Sequence, residues 1–406
     1  MTTPAHIDTP AAAPPASGGY KWYVLTLAAL THALVMGMPT MALPVLFDEI
    51  AAEFDLSLVQ VGFIWGVAPL AGLIMALLGG AIGDRIGARR ALMFGCLIAG
   101  VTGALRSFAV DFFTLAATVL IAGMILPAIP TNVHKTCAIW FSARRLGAAN
   151  GVVSAGMALG FMIGALLSAT VLSPLLGGWR NVIFFFAAIA LAVGGFWAIT
   201  RDGPNGRRQP SNGVPLRAGL LHVAKTPNIW LVALTLFGIS GCVQGTLGYL
   251  PLYLRGIGWA PATADAALSS FHASSLLFAI PFALLSDRLG RRRPLLIIAS
   301  LMIAAGIGAL AVVDGALVWP AVIFAGMVRD GFMAIIITVV MELRGIGPRY
   351  AATATGFIMA NSYLANVLSP PLGNSLAAID PGAPFLFWAA LALLAVFALS
   401  RIKGVR

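Results

Sequence analysis

Charge is what this sequence is short of. Only 10% of its 406 residues are Asp, Glu, Lys or Arg, against roughly 25% in a soluble domain, so an ordinary water-facing surface is excluded. Cysteine is scarce too. Cys96, Cys137 and Cys242 are the only three; each lies in an apolar run, and none belongs to a CxxC pair or a His/Cys group. Neither a disulfide framework nor a bound metal is expected, and no other cofactor is. Phosphate-binding glycine loops, nucleophile-and-base constellations and metal-ligand spacings are missing as well. An enzyme is therefore not expected, and transport without a nucleotide-binding module must draw on ion gradients. The first twenty residues, MTTPAHIDTPAAAPPASGGY, lack a basic stretch followed by an apolar core. They read as a disordered cytoplasmic tail, not a signal peptide.

What is present is hydrocarbon: 60% of the residues are hydrophobic. A bilayer core of about 30 Å needs about 20 apolar residues in a helix, and run lengths and breakers place such helices near 22–46, 58–82, 90–109, 112–140, 146–172 and 180–200. A polar linker, 201–226, follows, and six more spans lie near 227–254, 262–285, 294–313, 316–342, 350–375 and 382–401. The expectation is an all-α membrane protein of twelve transmembrane helices in two pseudo-symmetric six-helix bundles. The bundles occupy residues 21–200 and 227–401, with a short tail at 402–406.

The formal charge of +11 does not signal nucleic acid, because the basic residues are short punctuation between apolar runs and form no solvated patch. Their placement sets orientation instead. Of the 25 Lys and Arg, all but Arg106, Arg180, Arg255 and Arg329 fall on or near the side facing the termini. By the excess of positive charge in cytoplasmic loops, that side is the cytoplasm, with both termini in it.

One charged phrase is written twice: GDRIGARR at 83–90 and SDRLGRRR at 286–293, 203 residues later. A second echo pairs Arg144-Arg145-Leu146-Gly147 before the fifth span with Arg349 before the eleventh. Duplicated halves explain both, and in transporters built this way the binding site lies where the repeats meet, near the bilayer midplane.

The repeated phrase carries a resemblance to the major facilitator superfamily. Its signature Gly-x-x-x-Asp-Arg-x-Gly-x-Arg-Arg is met by Gly80, Asp84, Arg85, Gly87, Arg89 and Arg90. The second copy meets it with Asp287, Arg288, Gly290, Arg292 and Arg293, Ala283 replacing the leading glycine. The stretch Pro130-Thr131-Asn132-Val133-His134-Lys135 and the Gly-rich fifth span look most like cyanate-permease-type and neighbouring anion:cation symporters. The fifth span lacks the proline of many drug exporters and the Asn-containing, Gly-dense signature of nitrate carriers. The resemblance implies alternating access by two rocking bundles. It also implies that Asp84 and Asp287 reach the start of a helix in the opposite half, so that the doubled motif acts as a conformational latch.

Ionisable groups at bilayer depth are costly, on the order of 2.5–3.5 kcal/mol on insertion scales, so each needs a cavity, a partner or an interface. Arg329, deep in the tenth span, is the leading substrate contact: its planar guanidinium can grip a carboxylate or pair with Asp330. Asp330, His32 and His272 are candidates for carrying a coupling proton, and both histidines can equally be neutral helix-bonded groups or touch substrate. Asn132 and Lys135 share a face of the fourth span, Lys135 near enough to its cytoplasmic end to snorkel. Gln244, Tyr249, Asn361, Tyr363 and Asn366 can bind substrate or join helices. Arg106 reads as a snorkelling anchor, and Gly238, Gly241, Gly245 and Gly248 as a close-packing stripe.

Intramembrane positive charge tips the expected substrate toward a small organic or inorganic anion, taken up with protons across a bacterial-type inner membrane by a monomer. The rivals are a proton-driven exporter of hydrophobic or cationic compounds and a non-transporting membrane sensor.

Overall fold

The computed structural model describes residues 19–203, 216–343 and 346–402. It is helical, with no strand among the described residues. The chain-order helices are α1 (Tyr20–Phe54), α2 (Leu58–Ile86), α3 (Ala88–Ser107), α4 (Phe112–Trp140), α5 (Ala143–Leu167, continued by a short turn to Leu176) and α6 (Trp179–Ile199). The second half adds α7 (Pro227–Gly256), α8 (Pro261–Leu289), α9 (Arg292–Ala309), α10 (Val318–Glu342), α11 (Gly347–Ser375) and α12 (Ala383–Arg401). Among the described residues, ten helical segments are long and apolar enough to cross a membrane; α2 and α11, each 29 residues, pack among them. Outward faces are oily, with Phe184, Phe196, Leu386 and Phe397 all more than half exposed, as a lipid-facing surface requires.

Helix ends follow local chemistry. Asp111 opens α4 with a capping box, its carboxylate accepting the Thr114 N–H at 2.8 Å and satisfying one of the donors a helix start leaves unpaired. The two copies of the charged phrase turn at Gly87 (φ 88°) and Gly290 (φ 58°), a left-handed backbone that favours glycine.

Two of the motif arginines act inside their own halves. Arg89 pairs with Asp202 at 2.7 Å and donates to the Ala198 and Thr200 carbonyls, closing the end of α6. Arg293 does the same for α12 through the Leu399 and Ser400 carbonyls. The side chains of Asp84, Arg85 and Asp287, on which the latch expectation turns, lie outside the described residues, as do residues 1–18 of the expected tail.

Sequence-derived boundaries needed correction in two places. The first helix runs on to Phe54 instead of ending near 46, and passes through a π segment, Thr31–Gly37. The 201–226 linker contains a helix, Leu216–Ala224, whose His222 ring stacks on Tyr350 at a centroid distance of 4.0 Å.

Glycine lets α5 sit directly on α1: a Cβ at Gly156, Gly160 or Gly164 would lie 2.4–2.6 Å from the Ala29, Ala33 and Met38 carbonyl oxygens. The stripe on α7 works the same way, with Gly238 against the Leu391 carbonyl and Gly245 against the Trp388 ring. Gly248, however, faces Trp65 of the other half.

Five side-chain hydrogen bonds join the halves among the described residues. Trp65 Nε1 donates to the Gln244 carbonyl (2.7 Å), Arg255 Nη1 to Val45 (2.8 Å), Ser269 to Met162 (2.9 Å) and Asn374 Nδ2 to Leu58 (2.8 Å), and His272 Nε2 meets Met41 Sδ (3.1 Å). All lie in the half of the membrane away from the termini. The bundles are pinned together there.

Candidate functional site

Two helices are interrupted at matching positions. In α4 the break at Leu126–Pro127 separates Phe112–Ile125 from Ala128–Trp140; in α10 the break at Met327–Val328 separates Val318–Gly326 from Arg329–Glu342. Proline accounts for the first, since Pro127 and Pro130 supply no N–H. The second has no proline. Both breaks border one cavity of about 430 Å³, and the second half of α10 begins with Arg329, where the positive end of the helix dipole favours an anion.

The cavity is mostly apolar, walled by proline (Pro39, Pro69, Pro127, Pro130) and by Trp65 and Phe186. Its polar groups are few: Thr40, Gln244, Tyr363, Arg106 and Arg329. No Asp or Glu is among the lining residues.

Of the residues singled out in the sequence, the structure therefore brings Arg329, Gln244 and Tyr363 together. Arg329 is ion-paired with its neighbour Asp330, and the Asp330 N–H donates to Ser275 of α8 at 3.2 Å. One of the two adjacent residues thus lines the cavity while the other is held by a neighbouring helix, as the roughly 100° between successive helical side chains requires.

The remaining candidates sit off this cavity. Tyr249 is buried among Tyr253, Phe385 and Trp388, its hydroxyl donating to the Pro381 carbonyl at 3.1 Å. Asn361 Nδ2 donates to Phe357 (2.9 Å) within its own helix, and Asn366 lies where α11 meets Gly66 of α2. His272 is enclosed by Phe161, Phe271 and Met41, in electrostatic reach of Arg329 and Asp330.

His32, Asn132 and Lys135 belong to a separate polar group between α1, α4 and α5. His32 Nδ1 donates to the Val153 carbonyl (3.0 Å), which leaves Nε2 as the acceptor of a neutral ring, and that atom is buried without a partner. The ring meets His134 edge-on at 5.6 Å, and His134 Nδ1 donates to Asn150 Oδ1 at 3.1 Å. Asn132 Nδ2 donates to Ala128 (2.8 Å), while Lys135 is half-buried and partnered.

Arg106 needs correction most. The sequence reading made it a snorkelling anchor, yet it lines the cavity, and its Nε is buried with no hydrogen-bond partner. Its position near the end of a span hid this, because direction of approach is a tertiary property. Trp65 was also missed; no sequence signal marks it.

Comparisons with known proteins agree with this geometry. A family model described as Major Facilitator Superfamily matches residues 25–370. A probable nitrate/nitrite antiporter, NarK1, of Thermus thermophilus is 28% identical over 66% of this chain and 62% of its own length, under two thirds of that relative. Human monocarboxylate transporter 11 is 27% identical over 92% of this chain and 80% of its own. Among solved structures, a bacterial homologue of the lysosomal transporter Spinster, inward-facing and occupied, superposes with a TM-score of 0.76 at 16% identity, covering 95% of this chain and 96% of that one. With the family model spanning most of the chain, two bundles and a cavity bordered by both, the protein belongs to the major facilitator superfamily and is a membrane transporter, not an enzyme.

Proposed function

We propose that the protein is a secondary transporter that carries a small organic anion into the cell across the cytoplasmic membrane, coupled to protons, as a monomer with both termini in the cytoplasm. The observation that carries this reading is the cavity's charge: Arg106 and Arg329 line it, and among the described residues no carboxylate does. A cation exporter needs the reverse. The apolar remainder of the wall favours an organic anion over a hydrated inorganic one, since it offers no polar groups to replace a full hydration shell. Relatives named for nitrate/nitrite and monocarboxylates support the anionic class.

The cross-bundle contacts support alternating access. With the halves pinned on the side away from the termini, substrate leaves toward the cytoplasm, and separating Trp65 from Gly248 and Arg255 from Val45 opens the other side. The proton carriers proposed are Asp330, which protonation would release from Arg329, and the buried histidines His32 and His272. Uptake of labelled small carboxylates into proteoliposomes, measured from pH 5 to 8, tests the reading. It expects uptake to rise with an imposed inward proton gradient and to fall at least about tenfold in Arg329→Ala, the scale of a lost charged hydrogen bond. Uptake flat across that range, and unchanged in the variant, would refute it.

A further inference from the structure

Two guanidinium groups line the cavity, but they are not equivalent. Arg329 has its own counter-charge in Asp330. Arg106 forms no ion pair among the described residues, and its Nε is buried without a partner. The carboxylates near that end of the bundle are engaged elsewhere: Glu53 is held by Arg180 at 2.7 Å and by Trp179 Nε1 at 2.6 Å, Glu49 accepts from Ser173 and the Trp179 N–H, Asp111 caps α4, and Arg180 itself closes α3 by donating to the Ser107 carbonyl. Among the described residues of the wall, none balances Arg106.

We propose that Arg106 is the anchor for the substrate's anionic group, and that the site is matched to a single negative charge: a monocarboxylate on an apolar body. The step rests on the reading of the protein as an anion transporter and adds to it both a residue and a charge count. A charge in an apolar cavity wall without a partner is unfavourable, so the site without substrate is one anion short. A monocarboxylate fills it, its two oxygens suiting the planar fork of the guanidinium. A dicarboxylate leaves one negative charge uncompensated in an apolar cavity, and a neutral analogue leaves Arg106 unpaired. Arg329, balanced by Asp330, has a smaller share in attraction and gains one when Asp330 is protonated.

The test uses the purified full-length protein and four probes of one shape: benzoate, terephthalate, benzyl alcohol and benzylammonium. Affinities are read by titration of tryptophan fluorescence, for which Trp65 in the wall is a reporter, together with the Tm of the ligand-free protein. Benzoate is expected to bind the wild type about 10- to 100-fold more tightly than terephthalate or benzyl alcohol. Arg106→Met is expected to weaken benzoate by the same factor, to leave benzyl alcohol unchanged and to leave the ligand-free Tm unchanged or raised, because an unpaired buried charge has gone. A purely structural arginine would lower it. Arg106→Lys keeps the charge and is expected to restore part of the benzoate affinity, which holds the test open if the Met variant does not fold. Benzoate affinity within threefold of wild type in Arg106→Met, or a clear fall in its ligand-free Tm, overturns the anchor. If benzoate binding survives there but is lost in Arg329→Met, the anion reading stands and only the anchor falls. If benzoate fails to bind the wild type, the anchor falls with it, and binding of benzylammonium in its place overturns the anion reading as well.

Discussion

Replacing Gly248 by alanine is expected to open the side of the protein away from the termini. A Cβ there would lie 2.4 Å from Trp65 Cδ1 and 2.7 Å from its Nε1, where ordinary contact needs about 3.4 Å or more. The indole must retreat by about 1 Å, which takes its 2.7 Å hydrogen bond to the Gln244 carbonyl beyond bonding range. Such a bond contributes a net of about 0.5–1.5 kcal/mol, and it exists only while the bundles touch. Its loss shifts the balance toward the outward-open state by about 2- to 12-fold, taking 1.4 kcal/mol as tenfold. Spin labels at Val110 and Val312, which are exposed on the outer ends of the two halves, read this as growth of the longer distance in a pulsed EPR experiment. The native cysteines are buried and take up little label. An unchanged distance distribution in a variant of wild-type Tm would refute the reasoning.

Other consequences are equally specific. The buried pair Arg255–Asp265, at 2.6 Å with Asp265 fully buried, should make Asp265→Ala or Arg255→Ala cost about 3–5 kcal/mol, whereas replacing both with apolar residues should recover much of the loss; chemical unfolding in detergent checks this. Arg89→Ala and Arg293→Ala each uncap the last helix of a half and are expected to lower Tm while leaving benzoate affinity at the wild-type value, which a titration reads. The Asp111 carboxylate, outside the spans, is held below the usual carboxylate range by its hydrogen bonds to the backbone and side chain of Thr114. A depressed folded-state pKa means its contribution is present above the unfolded value and lost as pH falls through the folded one. The Tm gap between wild type and Asp111→Ala should therefore close on acidification below about pH 4.

Span positions and the halving of the chain were legible because apolar run length and the doubled GDRIGARR phrase are one-dimensional signals. The interruption in α4 has a one-dimensional mark too, the prolines Pro127 and Pro130. The matching interruption at Met327–Val328 had no such mark, and neither did the π segment in α1, since both arise where neighbouring helices supply alternative contacts. Arg329 was legible through its depth in an apolar run. Arg106 was misread because near a helix end the same residue can turn to the interface or inward, and the choice depends on what packs around it. Tyr249 shows the opposite limit: its polar tip in an apolar run left substrate binding and helix joining equally open, and the structure satisfies its hydroxyl with the Pro381 carbonyl. The charges of the repeated phrase separated in the same way, Arg89 and Arg293 proving to be helix closures inside each half.

The central claim is that a cavity with two arginines and no carboxylate among its described lining residues carries anions. Uptake of radiolabelled benzoate and of radiolabelled benzylammonium into wild-type proteoliposomes, side by side under one imposed inward proton gradient, tests it most directly. The account predicts accumulation of benzoate above its equilibrium level and no protein-dependent movement of benzylammonium. Protein-dependent movement of benzylammonium alone would contradict it.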